Sequence, residues 1–188
     1  MSRHGYHEDG DCDTWASIRW SGAVKSALRG KRGQALLRRL RKALDAMPDK
    51  RLIAEDIVTQ DGSCCALGAI ALAEGLDVEE LDPEDAPSVA RVFNVAESLA
   101  REIVYVNDEY VRPTNGRWVD GYYRHNETGQ TVGRYSPKAR FEEKDQWTFV
   151  PPKWEPASAD DEARNQRLRW DVVSSWVDRN LVVEAGHE

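Results

Sequence analysis

A chain of 188 residues fits one domain, or one domain with an appendage. Hydrophobic residues at 40% suffice for one core, while 31% charged residues and a formal net charge of −7 argue against generic nucleic-acid affinity. No apolar run approaches the ~20 residues of a membrane span, and MSRHGYHEDGDCD is no secretion signal, so a cytoplasmic protein is expected.

Residues 1–13 are polar, glycine-containing and acidic, and read as a flexible arm. A helical pattern follows, with Asp13 as N-cap, and stops at Gly30; Trp15, Ile18, Gly22 and Ala23 mark the side expected to pack. After Gly33 comes the clearest helix, in which Leu36, Leu37, Leu40, Ala43, Leu44 and Met47 recur at helical spacing before Pro48. Arg38, Arg39, Arg41 and Lys42 fall off that stripe, so leucines go inward and bases stay in water. RLIAEDIV (51–58) reads as a short strand or irregular segment, closed by an Asp61-Gly62 turn. CCALGAIALAEG (64–75) predicts a buried helix ending at Gly75, where Gly68, Ala69, Ala71 and Ala73 admit a second backbone closely. Asp82-Pro83-Glu84-Asp85 signals the next helix, with Asp82 as N-cap and Pro83 in the first helical position, running to Phe93. After Asn94 a further helix carries Val95, Leu99, Ile103 and Val106 and ends near Asn107-Asp108.

The composition then changes. Residues 111–156 hold half of the sixteen aromatic residues and little helical periodicity. RWVDGYYRH and QTVGRY flank Asn126-Glu127-Thr128-Gly129 as a hairpin with a four-residue loop. QWTFV (146–150) adds a third strand, which Pro151-Pro152 stops. Ser158 and Asp161 form an S-x-x-D helix start, and Leu168, Val172, Trp176 and Leu181 return the chain to the core. The expected fold is mainly α: a small helical body (14–110) completed by a C-terminal helix (157–188), with an inserted short antiparallel β-hairpin or sheet (111–156), an α+β arrangement.

Five constellations compete for a function. Eight basic residues and no acid lie between Lys25 and Lys42; Arg29, Lys31, Arg32, Arg38, Arg39 and Lys42 are the candidates for phosphate. The bland reading is a solvated helix face, or one paired with the run Glu74 to Asp85, which carries seven acids and no base. Pro87 to Asn107 has the texture of a helix-turn-helix, but Glu97 and Glu102 on the second helix suit a phosphate-lined groove poorly, so two core helices are expected. His4, His7 and Cys12 with Cys64 or Cys65 match no metal motif, and three cysteines make no disulfide framework; no metal, cofactor or disulfide is expected. No catalytic motif is present, so a non-enzymatic protein is expected. The aromatic insert interleaves Trp118, Tyr122, Tyr123, Tyr135, Trp147, Phe149 and Trp154 with Arg117, Arg124, Arg134 and Arg140, the mixture that anchors protein interfaces and stacks on bases. Trp118, Tyr122, Tyr123, Arg124, Tyr135 and Trp147 are the candidates for a partner. A small sheet also needs large side chains for its own core, and the two readings stand side by side.

The segments MSRHGY, RWSGAV, RGKRGQALLRRL, ALDAMPDKRLIAED, CALGAI, LDPED, LAREIVYVND and RWDVVSSWV resemble a family of short uncharacterised proteins of tailed phages and prophages. The resemblance covers about residues 1–110 and 160–180; in residues 111–156 the chain departs from the family, whose typical members have a much shorter link. It implies a phage setting within a bacterial host, and no mechanism. The expected partner is a host protein or nucleoprotein complex, such as a nucleic-acid machine or antiviral defence complex. In that role the acidic run acts as a DNA mimic. Direct nucleic-acid binding through the basic segment, and a structural or assembly role in the phage, are the alternatives.

Overall fold

The computed structural model describes residues 14–110 and 116–182. The expected arm at 1–13, with His4, His7, Cys12 and the Asp13 cap, lies outside the described residues, as does His187. The architecture is mainly α with small antiparallel sheets, an α+β arrangement. It divides into a helical unit, Met1–Arg112 with Ala163–Glu188, and a β-rich unit, Pro113–Glu162.

In the helical unit, α1 (Thr14–Arg29) and α2 (Lys31–Ala46) are joined through Gly30 alone. α2 therefore starts at Lys31, three residues before the boundary its sequence suggests. Gly33 explains the shift: a Cβ there would stand 2.0 Å from the Ala27 carbonyl oxygen, so glycine lets the helices meet backbone to backbone. The leucine stripe goes inward as expected, with Leu36, Leu37, Leu40 and Leu44 fully buried. α1 turns the other way from its apparent apolar side. Ala16, Val24 and Leu28 are buried, whereas Trp15 is 70% and Ile18 55% exposed, and Gly22 and Ala23 also face out. The i, i+4 line from Ala16 through Trp20 and Val24 to Leu28 packs against α2 and α5 (Glu97–Asp108), which overrides the pull of single large residues.

Residues 51–58 are irregular, tied by an isolated bridge between Val58 and Cys64 and by the Ile53 and Cys65 amides, which donate to the Cys64 and Ile57 carbonyls. They lead into α3 (Ala66–Glu74), which stops at Gly75 in left-handed conformation, φ 67°. Gly68 admits the carbonyl of Ile57, whose oxygen a Cβ would meet at 1.9 Å. α4 (Ala86–Phe93) begins three residues later than the Asp-Pro signal suggests. Asp85 is the N-cap, accepting from the Ser88 amide, while Asp82 accepts from Glu84 in the preceding turn. Both Asp82-Pro83 and Asp85-Ala86-Pro87 can open a helix, and burial of Val89, Ala90 and Phe93 selects the second. α5 buries Leu99, Ala100, Glu102, Ile103, Val104, Val106 and Asn107 and packs on α1, α3 and α4. It is the centre of the core and presents no face to a DNA groove.

Asn107 knits three segments together. Its Oδ1 accepts from the Ala66 amide at the head of α3 (3.1 Å), and its Nδ2 donates to the Ile53 carbonyl (2.7 Å) and to Asp108 (2.6 Å). Burial pushes the neighbouring Asp108 carboxyl above its ordinary 3.8, against the pull of Asn107, the Glu55 amide and the charge of Arg169. A carboxyl raised in the fold binds its proton more tightly there. Its contribution to stability is fullest below 3.8 and declines as pH rises through the raised value. Asp108→Asn is expected to remove that decline and raise the melting temperature near neutral pH, with little change in acid; melts at about pH 4 and about pH 7 check it.

α6 (Ala159–Asn180) starts with the reciprocal cap foreseen in the sequence: Ser158 Oγ accepts from the Asp161 amide, and Asp161 accepts from the Ser158 amide and hydroxyl. Its inward line is Asn165, Arg169, Val173, Trp176 and Val177. Leu168, expected inside, is 44% exposed, and Val172 and Leu181 are half-buried. Near the far end, Gln34 on α2 donates to the Leu28 and Asn180 carbonyls and accepts from the Val182 amide.

In the β-rich unit, β1 (Gly116–Val119) pairs with β5 (Lys153–Pro156), and β2 (Tyr122–His125) lies between β3 (Thr131–Gly133) and β4 (Trp147–Val150), all antiparallel. The expected long first strand is thus broken at Asp120-Gly121, and the chain resumes as a strand after Pro151-Pro152. The two breaks face each other. Val119 pairs with Lys153 on one side and Tyr122 with Val150 on the other, so the register is unchanged across the interruption. Gly121 fits there because its missing side chain leaves room for Phe149 and Pro152. A π-helical turn (Lys138–Glu142) and a 3₁₀ turn (Lys144–Gln146) connect β3 to β4.

Candidate functional site

The pleat of the paired strands sorts the aromatic side chains. Trp118 stands directly opposite Trp154, Tyr123 opposite Phe149 and His125 opposite Trp147. The first pair meets edge to face with centroids 5.9 Å apart, the second tilted at 5.1 Å and the third edge to face at 5.0 Å. Exposure separates them. Trp147 is 7% exposed and builds the local core, so it offers no outward surface. Tyr122 and Tyr123 are half-buried, and Arg124 is exposed between them and His125. Trp118 is 68% exposed, Trp154 49%, Phe149 45% and Tyr135 71%.

His125 belongs to the hairpin. Its Nδ1 accepts from the Glu127 and Thr128 amides at 3.3 Å, which leaves the proton on Nε2 for Gln146 Oε1 at 3.1 Å. Around the tryptophan pair, the Arg117 guanidinium and the Lys153 ammonium both reach Glu155 (3.2 and 3.0 Å), which holds that carboxyl below its usual range. The Arg134 guanidinium lies 4.7 Å over the Tyr135 ring. Exposed rings edged by cations and one carboxylate therefore make a surface with both apolar and ionic character.

The basic segment is divided by the fold. Arg39 forms a fork on Glu74 (Nε–Oε1 2.7 Å, Nη2–Oε2 2.5 Å) and donates to the Phe93 carbonyl at 3.3 Å. This pairing raises Arg39 and lowers Glu74, and it joins the basic stretch to the first residue of the acidic run. Arg41 reaches Ser174, Asp45 and Asp178. Arg29, Lys31, Arg32, Arg38 and Lys42 are exposed. The carboxylates Glu74, Asp77, Glu79, Glu80, Asp82, Glu84 and Asp85 are exposed as well.

Cys64 and Cys65 are core residues. Burial pushes Cys64 up to about 11 and Cys65 up to about 12, so neither thiol is an ionised ligand or nucleophile near neutral pH. Among the described residues no group of three His, Cys, Asp or Glu side chains could hold a metal ion, and no helix is long and apolar enough to cross a membrane. A groove of about 490 Å³ runs beside Ala46, Met47, Ala69 and Leu72. Asp61, which also lines it, is taken up by its own turn, accepting from Thr59 and Ser63.

The sequence places Trp154 and Phe149 among the aromatic residues of the insert, but the strand beyond the paired prolines, which sets Trp154 opposite Trp118, was not foreseen. The signal was the cross-strand spacing: Trp118 precedes His125 by the same interval by which Trp154 follows its partner Trp147. No protein-family model matches the chain, and no curated protein or solved structure matches it either.

Proposed function

We propose that this chain is a non-enzymatic, phage-encoded binding protein whose β-rich unit grips a host protein, within a nucleic-acid machine or an antiviral defence complex. The observation that carries the reading is the Trp118–Trp154 pair, two tryptophans held edge to face yet 68% and 49% exposed, with Arg117, Lys153 and Glu155 beside them. Leaving such rings in water forgoes burial worth roughly 1.5–3 kcal/mol for a large apolar side chain, and Trp and Arg are the residues that most often anchor interfaces. The exposed carboxylates from Glu74 to Asp85 add a run of negative charge that could steer toward a basic, nucleic-acid-binding partner as a DNA mimic.

The test is capture from nuclease-treated bacterial lysate by the purified full chain and by its Trp118→Ala/Trp154→Ala variant, with bound proteins quantified by mass spectrometry. Hot-spot truncations cost about 2–4 kcal/mol each, so a partner captured by the parent is expected to fall at least about thirtyfold in recovery with the double variant. Equal capture by both proteins removes the tryptophan pair as the anchor.

A further inference from the structure

We infer that the helical unit carries a second, independent surface, at the junction of α1 and α2, that binds the phosphate backbone of duplex DNA. Lys25, Arg29, Lys31 and Arg32 fall within eight residues across the single-residue link at Gly30, and all four are exposed. Lys42 continues the surface. Eleven residues after Lys31, it returns to the same side of α2, about 16 Å along the axis. Among the described residues none of these five cations has a carboxylate partner within ion-pair distance, whereas Arg39 and Arg41 on the same helix are held by Glu74, Asp45 and Asp178. The fold thus pairs Arg39 and Arg41, one on each flank of α2, and leaves Lys31 and Lys42 on the ridge between them with no carboxylate at ion-pair distance among the described residues.

Local compensation does not explain so many charges. The C-terminal end of α1 carries the equivalent of about half a negative charge, which one cation suffices to balance. The Leu28 carbonyl there already receives Gln34 Nε2 at 2.7 Å. The junction is also rigid, because Gly33 brings α2 onto the Ala27 carbonyl and Gln34 ties both helices to α6 at Asn180. A rigid corner adds no backbone ordering to the cost of meeting a regular polyanion. From Arg29 to Lys42 there is no aromatic residue, so this face offers no platform for unstacked bases. That favours a duplex, whose bases are closed and whose phosphates face outward; 16 Å spans about five phosphates of one strand.

The experiment uses the full chain and a fluorescein-labelled duplex of about 20 base pairs, with anisotropy read from ~50 to ~200 mM salt. Four to five phosphate contacts predict a log–log slope near −4, so affinity is expected to fall about 250-fold over that range. Lys31→Glu/Arg32→Glu/Lys42→Glu is expected to abolish binding, and the milder Lys31→Gln/Arg32→Gln to make the slope shallower by about 2. Trp118→Ala/Trp154→Ala is expected to leave DNA binding unchanged, which separates this surface from the protein-binding one. No binding at low salt, a flat salt dependence, or indifference to the lysine and arginine changes would overturn the proposal. So would tighter binding to single-stranded DNA or to duplex RNA.

Discussion

Replacing Gly68 with alanine is expected to destabilise the helical unit by about 3 kcal/mol, lowering the midpoint of thermal unfolding by roughly 6–12 °C. Alanine normally favours a helix over glycine by about 1 kcal/mol, so the expected sign is opposite to propensity. Geometry decides it. A Cβ on Gly68 would lie 1.9 Å from the carbonyl oxygen of Ile57 and 2.8 Å from Cβ of Cys64. Neither neighbour is the free end of a flexible side chain. The Ile57 carbonyl also accepts from the Cys65 amide, so it cannot withdraw without breaking the link that seats the irregular segment on α3. Unchanged or increased stability of Gly68→Ala, measured by chemical denaturation, would mean that the segment 51–58 is not packed as described.

Asn107→Ala should cost about 2–4 kcal/mol, because it strands two backbone groups in the core. The Ala66 amide and the Ile53 carbonyl both rely on the Asn107 carboxamide, which is only 1% exposed. Asn107→Asp makes a sharper test. A carboxylate can still accept from Ala66, but it cannot donate to Ile53 and stands beside the carboxyl of Asp108. Its deficit should therefore grow from acid to neutral pH, since two adjacent buried carboxyls resist losing both protons. A deficit independent of pH would remove the electrostatic part of this account.

How much of this was readable beforehand depended on where the deciding information lay. The α2 stripe was legible because its leucines alone define one face, and the Ser158–Asp161 cap because its partners are three residues apart. The inward face of α1 was not, because Trp15 and Ile18 outweigh Ala16 and Val24 in hydrophobicity, and only docking on α2 and α5 decides which side is buried. On α6 the inward line passes through Asn165, Arg169 and Ser174, which carry no hydrophobic signal. The start of α4 was ambiguous between two aspartates, both equipped to cap. The candidate surfaces were half legible. Which aromatics face outward follows from pairing across 36 residues, and which arginines are neutralised follows from contacts such as Arg39–Glu74, across 35.

Because Gly116 lies directly opposite Pro156, the polypeptide enters and leaves the β-rich segment through a doorway only one strand spacing wide, about 5 Å. A bridge of two or three residues would close it. The ribbon is consequently built like a detachable cassette: evolution or an engineer can lengthen, shorten or exchange everything beyond that doorway, provided residues are added or removed in facing pairs, without altering the spacing of the two ends that must rejoin.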